Sequence, residues 1–310
     1  MQTRTIQASA TVGNFGPGFD AISLALAQGG DAVRLQSAAS DRVYMDGPGA
    51  ADLPSDWAHN VASVTIDALR KHTGIDRPLG LHITKGQAGG SGLGSSASSA
   101  GGAALAFHHA FPEADLQPRD LVAAAAQGEA AAAGLHHDDV AAVILGGLAV
   151  VCHPPLRLAR VPPPMNLHLA VVVPDQRVPT QEMRALLPER VPRADAVHNL
   201  ACLATLIHAF HQGDIATIGA CLEDQIAQPH RLPRLSAAGA IRDAALAAGA
   251  HGITLSGSGP AMVAVCDGPE QADHVHDAMR DACTDLGLNA HAFSTPPQYE
   301  EPHATALSRM

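Results

Sequence analysis

Aromatic residues and basic clusters are both scarce in this chain of 310 residues. Phenylalanine, tryptophan and tyrosine make up 3% of it, so there is no stacking platform for the bases of single-stranded nucleic acid. Lysine and arginine number 19 against 30 aspartates and glutamates, the formal net charge is -11, and no local basic run offsets it. Because such a surface repels phosphate backbones, we predict no nucleic-acid partner.

The chain also lacks the marks of a membrane or disulfide-bonded protein. No window approaches ~18 uninterrupted apolar residues, and the first residues lack the apolar core of a secretory signal. The five cysteines are odd in number, widely spaced and without a CxxC pair, which predicts reduced thiols. The 18 histidines are scattered and form no HExxH motif. We therefore expect a cytoplasmic location and no membrane association.

Glycine and proline are abundant, with 29 and 22 residues, in a chain that is 46% hydrophobic. Such a chain folds into short elements joined by tight turns, and its length predicts two domains of ~100 to 200 residues each. Short strands and helices without a regular βαβα rhythm favour an α+β fold. We place the domains at 1–158 and 159–310, with the boundary in a proline-rich crossing over 154–166. We also predict helices over 117–134 and 215–227, a strand over 144–152, and little order after Phe293.

Residues 89–96 read GGSGLGSS and lead directly into an alanine-rich apolar segment. Glycine lets the backbone take positive φ and come close to a bound group, which is typical of phosphate-binding loops. A P-loop requires lysine where Ser95 stands, and a dinucleotide fingerprint requires a following strand that is absent here.

A third kind of phosphate-binding site fits the same residues better. In it, a glycine-rich turn opens a helix, and the backbone N–H groups and the helix dipole face a polyphosphate. Ser95 and Ser96 are then expected to cap that helix. The alternative is a serine-capped core helix that binds nothing.

Three motifs together resemble a known superfamily. GSGLGSSA, at 90–97, resembles the phosphate-binding motif of the galactokinase, homoserine kinase, mevalonate kinase and phosphomevalonate kinase (GHMP) superfamily. NFGPGFD, at 14–20, is similar to the N-terminal block of homoserine kinases, and GITLSGSGPAMVAV, at 252–265, to the superfamily's C-terminal glycine motif.

Further segments resemble homoserine kinases in particular: HHDDVAA at 136–142, TQEMRALLP at 180–188 and QPHR at 228–231. The resemblance covers nearly the whole chain. It implies a two-domain α+β GHMP-kinase-like fold, with a first half like domain 2 of ribosomal protein S5 and a second half like a ferredoxin α/β sandwich.

The resemblance implies that the chain uses ATP and Mg²⁺ to phosphorylate the hydroxyl of L-homoserine to O-phospho-L-homoserine, a step toward threonine. It suggests a cytoplasmic homodimer. It puts metal ligands at Ser96 and Glu129, although without it Glu129 would be assigned to the solvated surface. The implied ATP-binding residues are Asn60, Gly89, Gly90, Ser91, Gly92, Leu93, Gly94, Ser95 and Ser96.

The resemblance also implies a site for a small amino acid. Asp20 would take the ammonium group, and Arg184 and Arg231 the carboxylate, since arginine binds carboxylates with two parallel hydrogen bonds. Thr180 and Arg184 are the implied catalytic residues. No residue is a convincing general base, so catalysis would depend on approximation and transition-state stabilisation. The implied substrate-binding residues are Asn14, Asp20, His136, Asp139, Arg184, Arg231 and Gly257.

Three departures from the family pattern stand out. Asp139 replaces an asparagine, and Ala88 and Ala142 replace common prolines. An extra acid here could raise a carboxylate pKa, bind metal, weaken the binding of an anionic substrate or act as a base. Two alternatives remain: another kinase of the superfamily with a different alcohol, and a non-catalytic relative that senses ligands.

Overall fold

A computed structural model describes residues 3–131 and 134–305. In this part of the chain twelve strands form three four-stranded sheets, in the orders β1-β4-β6-β5, β2-β3-β7-β8 and β10-β11-β9-β12. Every named pair is antiparallel except β5 with β6. The strands are β1 Thr5–Gln7, β2 Ala10–Gly13, β3 Ile22–Leu26, β4 Ala32–Ser37, β5 Arg42–Asp46, β6 Leu79–Thr84, β7 Leu148–Cys152, β8 Arg157–Val161, β9 Leu167–Pro174, β10 Gly252–Leu255, β11 Met262–Asp267 and β12 Ala290–Thr295.

Helices and strands are intermixed along the chain, which confirms the expected α+β class. The helices are α1 Val61–Thr73, α2 Ser95–Ala110, α3 Pro118–Ala130, α4 Asp138–Leu145, α5 Thr180–Ala185, α6 Arg193–Gln212, α7 Ile215–Ala220, α8 Gln228–Arg231, α9 Ala238–Ala247, α10 Pro269–Asp285 and α11 Pro302–Thr305.

The first sheet, with β1, β4, β5 and β6, shares its core with α1, α2, α3 and α4. Helix α2 is almost wholly buried, and its small residues allow close packing on both sides. A Cβ at Gly101 would lie 2.6 Å from Val143 Cγ1 of α4, and one at Gly102 would lie 2.7 Å from Val33 Cγ2 of β4. The glycines and alanines of this segment therefore seat the helix between neighbours that leave no room for larger side chains.

The other two sheets share a second core with α6 and α7, in which Leu24, Val171 and Phe210 are buried. Helices α9 and α10 cover the far face of the third sheet. The predicted domain boundary between residues 158 and 159 falls inside β8, which pairs with β7. That boundary stays a prediction, and the two halves meet through a common core.

Two predicted elements around residue 150 are wrong. Ile144 and Leu145 end helix α4, and the strand begins only at Leu148, because Gly146 and Gly147 take positive φ between them. A short buried apolar run does not distinguish a helix from a strand. The proline-rich crossing over 154–166 contains strand β8, in which Arg157 and Ala159 are exposed, Leu158 and Arg160 are half-buried and Val161 is buried.

Three further boundaries differ from the expectations. The helix predicted over 215–227 ends at Ala220. The helix predicted over 117–134 begins at Pro118 and ends at Ala130, while its residues 132 and 133 lie outside the described part.

The segment after Phe293 is ordered up to residue 305, so the expectation of little order is wrong there. Strand β12 pairs with β9, Gln298 N donates to Ala25 O at 2.8 Å, and Tyr299 Oη donates to Met165 O at 3.0 Å. Residues 306–310 of that predicted tail lie outside the described residues.

Candidate active site

A cavity of about 590 Å³ lies between the two halves and collects most of the predicted site residues. Within the described chain, the two that do not line it are Ser91 and Leu93, whose side chains are buried in the loop and the core. The predicted residues that line it are Asn14, Asp20, Asn60, Gly89, Gly90, Gly92, Gly94, Ser95, Ser96, Glu129, His136, Asp139, Thr180, Arg184, Arg231 and Gly257.

The glycine loop forms one wall of this cavity and turns into the N-terminus of α2. Gly90, Gly92 and Gly94 take φ of +78°, +83° and +65°, which residues with a Cβ seldom adopt. Gly94 is the N-cap, with no side-chain capping bond, so the expectation that Ser95 and Ser96 cap the helix is wrong. The positive end of a 16-residue helix faces the cavity and favours an anion there.

The C-terminal glycine motif, residues 252–265, holds this loop from the other half of the chain. Ser256 Oγ donates to Gly92 O of the loop at 2.6 Å, and Gly257 N donates to Gly13 O, at the end of β2 beside it, at 3.0 Å. Segments more than 160 residues apart along the chain therefore meet around one cavity.

Lys85 lies beneath the loop and was missed by the sequence reasoning. Its Nζ donates to Asp31 Oδ2 at 2.6 Å, to Ser95 O at 2.8 Å and to Ser99 Oγ at 2.8 Å, so all three N–H donors are used. Both charged side chains are essentially inaccessible to solvent, at 1% and 0% exposure. This buried ion pair fixes the first turn of α2 from below.

Asn60 also lines the cavity, but its side-chain amide is bonded within the protein. It caps α1 by accepting from Ala62 N at 3.0 Å, and it donates to Pro54 O at 2.8 Å and to Met45 Sδ at 3.3 Å. The amide thus shapes the cavity wall at a residue that the resemblance assigned to ATP binding.

Glu129 is buried near the end of α3, contrary to what its alanine-rich surroundings alone would predict. Burial raises the pKa of its carboxyl from an ordinary 4.5 to about 7, and a hydrogen bond with Ser96 opposes the shift. Its Oε1 has no hydrogen-bond partner among the residues that the structure describes. A buried carboxylate oxygen of this kind, next to a serine hydroxyl, suits a hard cation.

The opposite end of the cavity holds a group of charged residues. Arg184 Nη2 donates to Asp20 Oδ1 at 2.8 Å and to Oδ2 at 2.9 Å. His136 Nδ1 lies 3.1 Å from the same nitrogen and 3.6 Å from Asp20 Oδ1. The ion pair of Arg184 with Asp20 thus joins the two halves of the chain.

Arg231 brings a second guanidinium group to this end. Its Nη1 donates to Gly257 O at 2.8 Å, and burial, followed by the charge of Arg184, lowers its pKa. The ring of Phe19 lies 5.5 Å from Arg184 Cζ and 5.4 Å from Arg231 Cζ. This aromatic ring, which the sequence reasoning missed, lies within cation–π distance of both guanidinium groups and helps to keep two like charges close together.

The loop that carries Asp20 has an unusual backbone. Asn14, Phe15 and Asp20 take φ of +69°, +28° and +54°, and Asn14 Oδ1 accepts from Asp20 N at 3.2 Å. Non-glycine residues in this region indicate a conformation that surrounding contacts impose. Thr180, at the start of α5, contacts the C-terminal glycine motif, because its Oγ1 lies 3.3 Å from Ser258 Oγ.

Two family models match the chain. One is described as GHMP kinases N terminal domain and matches residues 60–147, and the other as GHMP kinases C terminal and matches residues 206–285. Together they cover more than half of the chain. The chain belongs to the GHMP kinase family.

Relatives of this GHMP kinase include two named homoserine kinase. The one from Methanocella arvoryzae is 36% identical over 95% of both chains, and the one from Pyrococcus abyssi is 37% identical over 94% of this chain and 96% of its own. A crystal structure of homoserine kinase from Cytophaga hutchinsonii has a TM-score of 0.90 at 29% identity and covers 97% of this chain and 96% of its own. A mevalonate kinase from L. major, solved with R-mevalonate, shares the fold with a TM-score of 0.70 at 18% identity, covering 96% of this chain and 98% of its own.

Asp139 of this GHMP kinase points its carboxylate into the sheet. Its Oδ1 accepts from Thr11 Oγ1 at 2.8 Å and from Ser23 Oγ at 2.7 Å. Burial raises its pKa, and these two hydrogen bonds oppose the shift. The residue therefore ties α4 to β2 and β3 at the cavity wall.

Its neighbour Asp138, which the sequence reasoning did not single out, is also buried and lines the cavity. Burial, followed by the charge of Asp139, raises its pKa well above the ordinary value. In the described residues, no helix has the length and apolar character that spanning a membrane requires.

Proposed function

We propose that this GHMP kinase transfers the γ-phosphoryl group of ATP to the side-chain hydroxyl of L-homoserine, giving O-phospho-L-homoserine and ADP. The observation that carries the proposal is that one cavity has a phosphate-binding end and an end with charged side chains of both signs. One end is a glycine loop on a helix N-terminus, and the other holds a carboxylate with two guanidinium groups. The relatives named homoserine kinase support the choice of acceptor.

At the nucleotide end, the N–H groups of residues 89–96 and the positive end of α2 bind the phosphates of ATP. The buried ion pair of Lys85 and Asp31 keeps this helix end in place. Asn60 closes the wall beside the adenine.

Ser96 and Glu129 fit a magnesium ion, because Mg²⁺ takes oxygen ligands and Glu129 Oε1 meets no hydrogen-bond donor in the described part. When bound, Mg²⁺ neutralises charge on the phosphate oxygens.

At the acceptor end, the charges match those of a free amino acid. Asp20 takes the ammonium group, and Arg184 and Arg231 take the carboxylate, for which a planar guanidinium is better suited than an ammonium group. His136, Asn14 and Gly257 shape the space between the two. An alcohol without this pair of charges has no use for such a clamp.

Transfer forms a bond between the acceptor oxygen and the γ-phosphorus while the bond from that phosphorus to the bridging oxygen of ADP breaks. The hydroxyl proton passes to an oxygen of the transferred phosphoryl group and not to a protein base, since Asp20 is paired with a cation and Asp139 accepts two hydroxyls of the sheet. Thr180 and Arg184 lie beside the reacting groups and stabilise the charge of the transferred phosphoryl. The protein thus works mainly by positioning and electrostatics.

The test is a coupled ADP-release assay with L-homoserine, L-serine, L-threonine, mevalonate and galactose as acceptors. We expect turnover with L-homoserine well above the others. Turnover of another alcohol with L-homoserine silent would identify a different kinase of the family. Nucleotide binding without turnover of any acceptor would identify a non-catalytic relative. The cytoplasmic location and the homodimer stay predictions, the latter checked by size-exclusion chromatography with light scattering.

A further inference from the structure

Asn199 is a buried polar residue on the long helix α6 and is 4% exposed. Both its side-chain nitrogen and its side-chain oxygen form hydrogen bonds within the protein. Its Nδ2 donates to Pro17 O at 3.1 Å and to Asp224 Oδ1 at 2.7 Å. Its Oδ1 accepts from Gln225 N at 2.9 Å. One amide therefore binds two different segments of the chain.

Asp224 is buried as well, at 5% exposure, and organises the chain before α8. Its Oδ1 accepts from Ile226 N at 2.8 Å, and its Oδ2 accepts from Ala227 N at 2.8 Å and from Gln228 N at 2.7 Å. Hydrogen bonds to an ionised acceptor are stronger than those between neutral groups. The last residue of the short helix that follows is Arg231.

The two segments joined by this bridge are the two that carry the acceptor site. Pro17 lies three residues before Asp20, and Asp224 sets the start of the helix that presents Arg231. The contact is also close through the backbone, since a Cβ at Gly16 would lie 2.8 Å from Leu222 Cα.

The charge of Asp224 also reaches Arg231, where it opposes the lowering of the pKa by burial. Neither Asn199 nor Asp224 lines the cavity as the structure describes it.

We propose that Asn199 and Asp224 are positioning residues that set the distance between Asp20 and Arg231 and so determine how the amino-acid acceptor is bound. The proposal rests on the proposed function, because it assigns the two ends of the bridge to the ammonium and carboxylate of the acceptor. Removal of the bridge weakens acceptor binding and leaves the glycine loop and its ion pair untouched.

The experiment compares Asn199→Asp with Asn166→Asp in the full-length protein. Asn199→Asp puts a second carboxylate against Asp224 and removes the donor to Pro17 O. Asn166 is a matched control, because its Nδ2 donates to Asp267 Oδ1 at 2.8 Å at an exposed site, where β9 begins and β11 ends. The change of chemistry is the same, but it lies at the other end of these strands from the cavity.

We expect Asn199→Asp to raise the KM for L-homoserine about tenfold or more, while the KM for ATP and kcat change by about twofold or less. Loss of binding that acts equally in the ground state and the transition state has this signature. The control is expected to leave both KM values within about twofold of the unaltered protein. An unchanged KM for L-homoserine in folded Asn199→Asp, or equal rises in both KM values, would overturn the proposal.

A double variant, Asn199→Asp with Asp224→Asn, restores a donor and acceptor pair between positions 199 and 224 but leaves Pro17 O without its donor. We expect its melting temperature to recover in part, because the new Nδ2 at position 224 meets Ile226 N where a carboxylate oxygen accepted before, while the KM for L-homoserine stays raised. Recovery of both together would mean that the bridge serves stability alone. If circular dichroism shows Asn199→Asp to be unfolded, Asp224→Asn carries the same comparison of KM values.

Turnover of L-homoserine by the unaltered protein is measured first. If L-homoserine is not turned over, the result counts against the proposed function. The same variants are then compared by their KM for whichever acceptor the unaltered protein does phosphorylate. The two claims therefore fail separately.

Discussion

The substitution Glu129→Gln removes a carboxyl group that is 4% exposed and whose Oε1 meets no donor from residues 3–131 or 134–305. Burial raises its pKa from an ordinary 4.5 to about 7, which corresponds to a cost of roughly 3 kcal/mol for carrying the ionised form inside the metal-free protein. Glutamine has a similar shape and no charge. We therefore expect Glu129→Gln to stabilise the metal-free protein and to abolish its activity.

The gain in stability depends on pH in a defined direction. Between pH 4.5 and about 7 the unfolded chain has released a proton that the folded protein still holds, so the free energy of unfolding falls as the pH rises. The cost is absent below pH 4.5 and fully present above pH 7. The difference between variant and parent should grow to roughly 3 kcal/mol at pH 8, or about 5 °C in melting temperature.

The measurement is thermal denaturation in EDTA from pH 5 to pH 8, together with ADP release in Mg²⁺. We expect turnover of Glu129→Gln to fall by about a hundredfold or more, since a bound metal supplies several kcal/mol in phosphoryl transfer. Glu113→Gln, at an exposed position, is the matched control and should alter neither property. A variant that melts at or below the parent at pH 8, or a difference that does not vary with pH, would refute this reasoning.

Three further substitutions test the walls of the cavity. Gly92→Ala places a Cβ 2.7 Å from Gly259 O at φ +83°, and we expect a higher KM for ATP and a loss of about 1 to 3 kcal/mol; unchanged kinetics would contradict this. Asp139→Asn keeps the oxygen that accepts both hydroxyls and removes a buried charge, so the melting temperature at pH 8 should hold or rise, and a fall would show that the charge is needed. Lys85→Met leaves Asp31 buried without its cation and should lower the free energy of unfolding in urea by roughly 3 to 5 kcal/mol. An unaltered urea midpoint would show that the ion pair does not contribute to stability.

Half of the residues that line the cavity, 16 of 32, could be predicted from the sequence, because the motifs that carry chemistry form short local patterns. Gly90, Gly92 and Gly94 need no tertiary information to indicate positive φ and close approach. The α+β class likewise followed from the mixture of short elements. The elements near Ile144 could not be assigned, since an apolar run of that length fits a helix and a strand equally well.

The supporting residues of the site could not be found in this way. Lys85 meets Asp31 across 54 positions, and Asn199 meets Asp224 across 25. Nothing in the immediate sequence of any of these residues distinguishes a buried, fully bonded side chain from an ordinary surface one. Such pairs depend on how the sheets and helices are stacked, and that information lies in no single segment.

The contacts between the glycine loop and the C-terminal glycine motif have a consequence for protein engineering. Ala261 N donates to Ser91 O at 3.2 Å, and Ser256 Oγ donates to Gly92 O at 2.6 Å, so the loop owes part of its curvature to the last quarter of the chain. An isolated first half would keep the sequence of the glycine loop but would lack its hydrogen-bond partners in the C-terminal glycine motif. Chimeras between relatives must therefore exchange these segments as a set, because the loop keeps its shape only when its partners in the C-terminal glycine motif are present.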